Sequence, residues 1–214
     1  MHRLRVRFKR GAEVKFISHL DIIRLWHRAL SRAGIELAYS EGFNPHPRIS
    51  LAAPLALGVT SEAELMDVVI TRYISPHYFT ACVSRQLPPG IEIVQVYQIA
   101  PTLPSLQSQV RYAEYVVEAE VKGGPKYVTE ALASLLAQER LPWQHQRDTG
   151  PKSYDLRALI DELWLNSWQG DQGIIGMRLR CDSSGSGRPE QVIKALGLNE
   201  PSSIHRTRLI LKTS

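Results

Sequence analysis

The sequence is poor in cysteine and in long hydrophobic runs. Only two cysteines, Cys82 and Cys181, occur in 214 residues. Each lies in an apolar pattern, which predicts buried free thiols rather than a disulfide or a metal pair. No cysteine cluster is present that would hold an iron–sulfur centre or a structural zinc. No apolar run approaches the roughly 18 residues of a membrane span, and the first residues lack the apolar core of a signal peptide. A cytoplasmic protein without membrane contact is therefore expected.

The positive charge is concentrated at the start of the chain. The formal net charge is +5, whereas residues 1–48 alone carry ten Lys or Arg and four acidic residues, a net charge of +6. A basic region of this kind favours a polyanionic partner such as RNA, and a solvated basic face is the alternative.

The first 97 residues carry alternating strand and helix patterns. Residues 3–9 alternate basic and apolar side chains, which predicts a half-buried strand with a basic outer face. Ser18 and Asp21 have the spacing of a capping box, at the start of a helix that ends at Gly34. The remaining strands are predicted at 35–39, 49–51, 65–71 and 91–97, and a second helix at 76–87. The order strand, helix, strand, strand, helix, strand is that of a ferredoxin-like unit, in which two helices cover an antiparallel sheet.

A second unit of the same kind is predicted after a linker. Residues 101–109 contain two prolines, two serines and no charge, which is typical of a linker. Strand and helix patterns then recur at 112–121, 126–138, 143–147 or 155–165, 174–181, 189–196 and 204–211. The expected fold class is α+β, with two tandem ferredoxin-like (βαββαβ) domains at residues 1–100 and 110–214.

The residues best suited to binding lie between Ser18 and Leu57. At the centre is the loop Gly-Phe-Asn-Pro-His-Pro-Arg of residues 42–48, whose glycine and prolines fix the backbone and present polar side chains in a defined direction. The RNA-binding candidates come from the first strand, the first helix and this loop: Arg3, Arg5, Arg7, Arg24, Arg28, Asn44 and Arg48. Because the sheet lacks the aromatic pair of an RNA-recognition motif, phosphate contacts that weaken with salt are expected.

Two histidines, His19 and His46, are candidates for acid–base chemistry. His19 is predicted in the first turn of a helix, where the dipole lowers its proton affinity and favours the neutral imidazole. If the loop folds over the helix start, both histidines, Asn44 and Arg48 would surround a phosphodiester. The alternative is structural: His19 hydrogen-bonds at the helix start and His46 packs the loop. His19, Asp21 and His46 are also suitable metal ligands, but their spacing is not diagnostic and no metal site is predicted.

The second half of the chain carries another set of arginines. Acidic side chains are expected between them in the sheet, so cross-strand ion pairing is favoured over RNA binding. The arginines are Arg178, Arg180, Arg206 and Arg208, and the acids are Glu114, Glu118 and Glu120.

Several runs of the first half resemble one bacterial family. They are Phe16–Asp21, Arg28–Gly34, Ala38–Arg48, Pro54–Gly58 and Ser61–Glu64. Together they are similar to the radical SAM-linked domain, a family of unknown function found at the C-terminus of some radical SAM proteins or as a separate chain. The likeness is strong over residues 3–97 and loose beyond them.

The resemblance implies a radical SAM partner, fused or separate, and a link to RNA metabolism with tRNA or rRNA as candidate partners. S-adenosylmethionine and an iron–sulfur cluster would be bound by that partner and not by this chain, which lacks the three-cysteine motif. The tandem fold also resembles that of CRISPR repeat-processing endoribonucleases, which cleave RNA without metal. Their glycine-rich loop follows the last helix, whereas Gly185 and Gly187 precede it here, so the likeness carries little functional weight.

Three functions are therefore considered. The leading hypothesis is a non-catalytic RNA-binding or substrate-presenting module that acts with a radical SAM protein in RNA modification. The alternatives are a metal-independent endoribonuclease that uses His19 and His46, and a protein-interaction domain that docks an acidic partner.

Overall fold

The first strand, β1 (His2–Arg10), lies between two neighbouring strands in a computed structural model that describes residues 1–147 and 150–212. The chain divides into two units, one of Met1–Val110 with Leu211–Ser214 and the other of Arg111–Ile210. Both units combine helices with antiparallel strands. The predicted α+β class is confirmed.

The first unit has the element order strand, helix, strand, strand, helix, strand. After β1 come α1 (His19–Arg32), β2 (Ile49–Leu51), β3 (Thr60–Ile70), α2 (Pro76–Ser84), β4 (Ile91–Ile99) and the short helix α3 (Leu106–Gln109). β1 pairs antiparallel with β3 on one side and with β4 on the other, and β2 pairs antiparallel with β3. The strand order is therefore β2-β3-β1-β4.

One face of this sheet packs against the helices. Leu4, Val6 and Phe8 alternate along β1 and are fully buried, as the two-residue period of a strand requires. Their core partners come from both helices and β3 and include Trp26, Leu30, Met66, Val68, Phe79 and Val83. Phe8 meets Trp26 edge to face, with ring centroids 4.9 Å apart. The odd-numbered positions, Arg3, Arg5 and Arg7, consequently lie on the other face.

Both ends of α1 follow from its sequence. The Ser18 hydroxyl accepts a hydrogen bond from the Asp21 N–H at 3.2 Å and donates one to the Asp21 carboxylate at 2.6 Å. The predicted cap is present, although the carboxylate binds the hydroxyl rather than the backbone N–H of Ser18. Gly34 adopts φ 71°, which lets the Ile35 N–H reach the Leu30 carbonyl at 3.0 Å and end the helix.

The predicted strand at 35–39 is reduced to two isolated bridges, Leu37 to Ile70 and Tyr39 to Pro47. The reason is that two segments share one edge of β3. The Ala38 N–H donates to the Val69 carbonyl, and the Val69 N–H donates to the Arg48 carbonyl. Neither segment can therefore form a continuous ladder there. β3 in turn begins five residues before its predicted start, at Thr60, because its first residues are polar and gave no apolar signal.

The second unit contains the other elements. They are β5 (Val110–Glu120), α4 (Gly124–Ala137), β6 (Pro142–Arg147), β7 (Gly150–Asp155), β8 (Ile160–Gln169), β9 (Gln172–Asp182), β10 (Gly185–Ser186), α5 (Pro189–Ala195) and β11 (Ser203–Leu211). β9 pairs antiparallel with both β5 and β8, while β6 and β7 form a separate hairpin. Both candidate strands in the region 143–165 are thus present, one in the hairpin and one in the main sheet.

A glycine lies under a tryptophan in this second sheet. Trp164 on β8 is the cross-strand partner of Gly176 on β9, and a Cβ at that glycine would overlap the indole ring. The ring therefore occupies the space that a side chain would need.

Cys82 and Cys181 form no disulfide with each other, and both are half-buried rather than fully buried as expected. Among the described residues, no helix has the length and apolar character needed to cross a bilayer.

Candidate nucleic-acid interface

The outer face of α1 carries three exposed arginines, Arg24, Arg28 and Arg32. Their spacing of four residues places them one above another on the helix. Arg24 pairs with Asp21 at 3.0 Å, and both side chains are more than half exposed. The hydrogen bond from Ser18 and then that from Arg24 lower the pKa of the Asp21 carboxyl. Arg28 and Arg32 make no ion pair with any residue that the structure describes, so their charges face solvent.

The loop at 40–46 is closed by two hydrogen bonds between its ends. The Ser40 N–H donates to the His46 carbonyl, and the His46 N–H donates to the Ser40 hydroxyl, each at 2.9 Å. Gly42 adopts φ 119° at the turn, a conformation that favours glycine. The Phe43 side chain beyond it is fully exposed. An aromatic ring is thus presented to solvent on a closed loop.

The base of this loop is attached to α1. The Tyr39 hydroxyl lies 3.2 Å from Nε2 of His27, and the two rings meet nearly at right angles with centroids 6.3 Å apart. His27 immediately precedes Arg28 on the helix. The contact therefore attaches the base of the loop to the helix that carries the basic face. We call the combined surface of Arg24, Arg28, Arg32, Phe43, Asn44 and His46 the α1–loop surface.

Two of the arginines predicted to line an open sheet face are buried. Nε of Arg5 lies 2.7 Å from Oδ1 of Asp67, and Nη2 of Arg3 lies 2.7 Å from Oδ2 of the same carboxylate. Arg3 also donates to the backbone carbonyls of Leu103 and Pro104 at 2.6 and 3.0 Å. The segment predicted as a linker thus covers this part of the sheet face, and Arg3 and Arg5 do not offer free phosphate contacts.

Burial alone lowers the pKa of Arg5, but the hydrogen bond and charge of Asp67 outweigh burial and raise it. Arg5 therefore stays charged, and the cluster of Arg3, Arg5 and Asp67 is a structural element of the first unit.

The other two predicted arginines of the sheet region are exposed. Arg7 is on the same strand face as Arg5. The side chain of Arg48 donates one hydrogen bond among the described residues, from Nη1 to the Met1 sulfur at 3.8 Å. Arg48 lines a cleft with Arg3 and Asp67, and therefore lies on the sheet face opposite α1. The RNA-binding candidates consequently fall on two surfaces of the first unit, with the loop at the edge between them.

His19 lies at the start of α1 and is half-buried. Its pKa is lowered, first by burial and then by the charge of Arg10, while the charge of Glu64 opposes both. The predicted direction is confirmed, but the causes are burial and a neighbouring arginine rather than the helix dipole. A neutral imidazole is favoured.

The structure does not bring His19 together with the loop. His19 is next to Arg10 at one end of β1, whereas Arg48 is next to Arg3 at the other end. Seven residues of strand separate these arginines, about 23 Å at ~3.3 Å per residue. The predicted grouping of both histidines with Asn44 and Arg48 around one phosphodiester is therefore not supported, because His19 and Arg48 lie at opposite ends of β1. Among residues 1–147 and 150–212, no cluster of His, Cys, Asp or Glu is placed to hold a metal ion.

The predicted cross-strand ion pairing in the second unit is confirmed at Arg178. It lies 2.8 Å from Glu114 on β5 and 2.9 Å from Glu162 on β8, and the hydrogen bond with Glu114 raises its pKa despite burial. Arg180 instead pairs with Asp182 at 3.0 Å. Burial works against ionisation of Asp182, but hydrogen bonds from Ser184 and Arg180 lower its pKa to about 2.

The sequence did not lead us to predict three residues of the interface. They are Arg32, Phe43 and Tyr39, which joins the loop to α1. Phe43 carried a usable signal, because an aromatic residue between Gly42 and Asn44 has no strand or helix pattern that would bury it. Arg32 continues the four-residue spacing of the two predicted helix arginines. The contact between Tyr39 and His27 had no signal in the sequence.

One family profile matches residues 3–189. The chain belongs to the bacterial family described as uncharacterized protein conserved in bacteria, DUF2344. No curated protein matches the chain in sequence.

One solved structure shows a similar fold at low sequence identity. A chain of a Cbf5-Nop10-Gar1 complex matches 97% of this chain with 8% identity and a TM-score of 0.53. A chain of an H/ACA RNP bound to a substrate RNA containing 2′-deoxyuridine matches 97% with 10% identity and a TM-score of 0.47. The matched region is 48% and 47% of those chains, so this DUF2344 chain spans about half their length.

Proposed function

We propose that this DUF2344 chain is an RNA-binding or substrate-presenting module that acts with a radical SAM protein in RNA modification. The observation that supports the RNA-binding part is the contact of Tyr39 with His27. It attaches the loop that bears the exposed Phe43 ring to the helix that carries Arg24, Arg28 and Arg32. The radical SAM partner is proposed from the sequence resemblance of residues 3–97.

The two parts of the α1–loop surface suit the two components of a single-stranded RNA. Guanidinium groups bind phosphates through charge-assisted hydrogen bonds, and Arg28 and Arg32 have no acidic partner among the described residues. An exposed aromatic face stacks on a base of any sequence, and Phe43 offers both of its faces. The RNA is expected to run along α1 with one base on the loop.

The endoribonuclease alternative is not favoured by the geometry. General acid–base cleavage needs both groups within hydrogen-bonding reach of one phosphodiester. His19 lies near Arg10 at one end of β1, whereas Arg48, two residues after His46, lies near Arg3 at the other end. RNA bound by the α1–loop surface should therefore stay intact.

A protein-docking function is a second candidate, because Phe16, Leu20 and Leu57 are all more than half exposed. They flank the start of α1, away from the loop. Lys15 lies 5.2 Å from the centre of the Phe16 ring, so an acidic partner with apolar side chains would fit there.

We also propose that each unit is a ferredoxin-like domain. The strand order β2-β3-β1-β4 supports this for the first unit, and the second would differ by the inserted β6–β7 hairpin. A crystal structure of the whole chain tests both assignments through the strand order of each sheet.

Binding of a labelled single-stranded RNA by the purified chain tests the central proposal. The affinity of the double variant Arg28→Ala/Arg32→Ala should be lower than that of the unmodified chain, whereas Arg85→Ala should be neutral. Arg85 is an exposed arginine at the end of α2, outside the α1–loop surface.

A further inference from the structure

An open cleft of about 410 Å³ lies in the first unit, on the sheet face opposite α1. Its volume is in the range of small-molecule sites, roughly 300–1,000 Å³. Arg48, Ser50 and Gln107 contribute polar side chains to it. Among the described residues, none of these three side chains hydrogen-bonds to an oxygen or nitrogen atom. Three polar side chains that have no oxygen or nitrogen partner among the described residues thus converge on one cleft.

The cleft is positively charged. Asp67 is the acidic residue among its described lining side chains, and its carboxylate is already shared by Arg3 and Arg5. One positive charge of that buried cluster is left unbalanced, and Arg48 adds a second at the rim. An anionic group is attracted there, and the planar guanidinium group of Arg48 can bind two of its oxygens.

Apolar side chains form another part of the lining. Val69 and Pro101 supply it, next to the carboxamide of Gln107, which offers both a donor and an acceptor. Inorganic phosphate alone would leave this apolar area in water. A ligand with an anionic group and a flat, partly apolar ring with hydrogen-bonding edges would use the whole lining, and a nucleotide has both parts.

We propose that this cleft binds a phosphorylated nucleotide, with its phosphate on Arg48 and Ser50 and its base against the apolar area beside Gln107. Such a nucleotide has two possible sources, a free nucleoside monophosphate or the phosphorylated end of an RNA. The second source deepens the proposed function and rests on it. Arg48 ends the loop that carries Phe43 and Asn44, so an RNA strand on the α1–loop surface can pass over the sheet edge into the cleft.

Isothermal titration with AMP and UMP tests the cleft independently of RNA. Both should bind the unmodified chain, and Arg48→Ala should weaken them by about 10- to 100-fold, the usual effect of losing hydrogen bonds to a charged group. Arg85→Ala removes the same charge elsewhere and should change nothing. Adenosine and inorganic phosphate should each bind more weakly than AMP. Equal affinity of AMP for Arg48→Ala and the unmodified chain would overturn the proposal.

The two sources are separated with one RNA oligonucleotide carrying either a phosphate or a hydroxyl at each end. If a phosphorylated oligonucleotide binds more tightly than the hydroxyl form, and Arg48→Ala abolishes this difference, the ligand of the cleft is the phosphorylated end of an RNA. Equal binding of all forms, with AMP binding still dependent on Arg48, identifies a free nucleotide.

The two proposals fail in different ways. If AMP binds through Arg48 but no RNA binds, the nucleotide-binding proposal for the cleft is supported and the RNA-binding proposal is wrong. If RNA binds through Arg28 and Arg32 while neither AMP nor a phosphorylated end responds to Arg48→Ala, the cleft proposal is wrong.

Discussion

Asp67 accepts a 2.7 Å hydrogen bond from Nε of Arg5, its direct partner across the β1–β3 ladder. Arg3, two residues along the same strand face, binds the same carboxylate. All three side chains are buried. The alternating arginines of the first strand, which suggest an RNA-binding face when the sequence is considered alone, are therefore largely part of the protein's own interior.

Replacement of Asp67 should destabilise the chain strongly. Asp67→Asn leaves two buried guanidinium groups without a counter-charge, and removal of one partner of a buried ion pair costs about 3–5 kcal/mol. Urea unfolding followed by circular dichroism measures the change. Glu92→Gln is the matched control, because it breaks the exposed pair of Lys9 and Glu92 and should cost at most about 1 kcal/mol. Similar losses in both variants would contradict a structural role for the buried cluster.

Charge removal on α1 should weaken RNA binding and its salt dependence together. Each phosphate contact of a single strand contributes about 0.7 to the slope of log K against log salt concentration. Arg28→Ala and Arg32→Ala should each lower the slope by about that amount, across RNAs of different sequence. Fluorescence anisotropy at several salt concentrations gives both quantities. An unchanged slope in the double variant would show that Arg28 and Arg32 do not contact RNA phosphates.

Phe43→Ala should weaken RNA binding without changing the salt slope. Loss of one base–aromatic stack costs about 1–3 kcal/mol of binding free energy, and no charge is removed. The free energy of unfolding should not change, because the ring is fully exposed. Phe43→Tyr retains an aromatic face and should bind as the unmodified chain does. If Phe43→Ala binds RNA normally, the loop contributes no stacking.

Protonation of His19 should lower the free energy of unfolding in mild acid. Burial and Arg10 lower its folded-state pKa, so the unfolded chain binds the proton more readily. This contribution to stability is complete above the unfolded-state pKa of about 6.5 and is lost as the pH falls through that value towards the folded pKa. The free energy of unfolding, measured at intervals from pH 8 to pH 5, should fall less in His19→Gln. Parallel curves for the two proteins would show that His19 does not titrate differently on folding.

The sequence predicted most elements of the fold because most have a regular apolar period or a clear cap. Ser18 and Gly34 mark α1, and the alternation of Leu4, Val6 and Phe8 marks β1. The start of β3 was missed because buried polar residues such as Ser61 and Glu64 do not follow an apolar pattern.

The candidate site was less accessible to sequence reasoning. Exposure of Arg28 and Arg48 was expected from their positions, but the burial of Arg3 and Arg5 depends on Asp67 and on backbone carbonyls about 100 residues away in sequence. The separation of His19 from Arg48 likewise follows from the contacts of Val69 on β3 with both Arg3 and Arg48, which no local motif encodes. Contacts between distant segments determine which basic residues remain available.

Titration of a labelled RNA at about 50 and about 200 mM salt, with the same samples run on a gel, tests the central claim most directly. RNA binding by the α1–loop surface should weaken steeply with salt, depend on Arg28 and Arg32, and leave the RNA uncut. Absence of binding at the lower salt concentration would contradict RNA binding by this chain, and cleavage abolished by His19→Ala would contradict its assignment as a non-catalytic module.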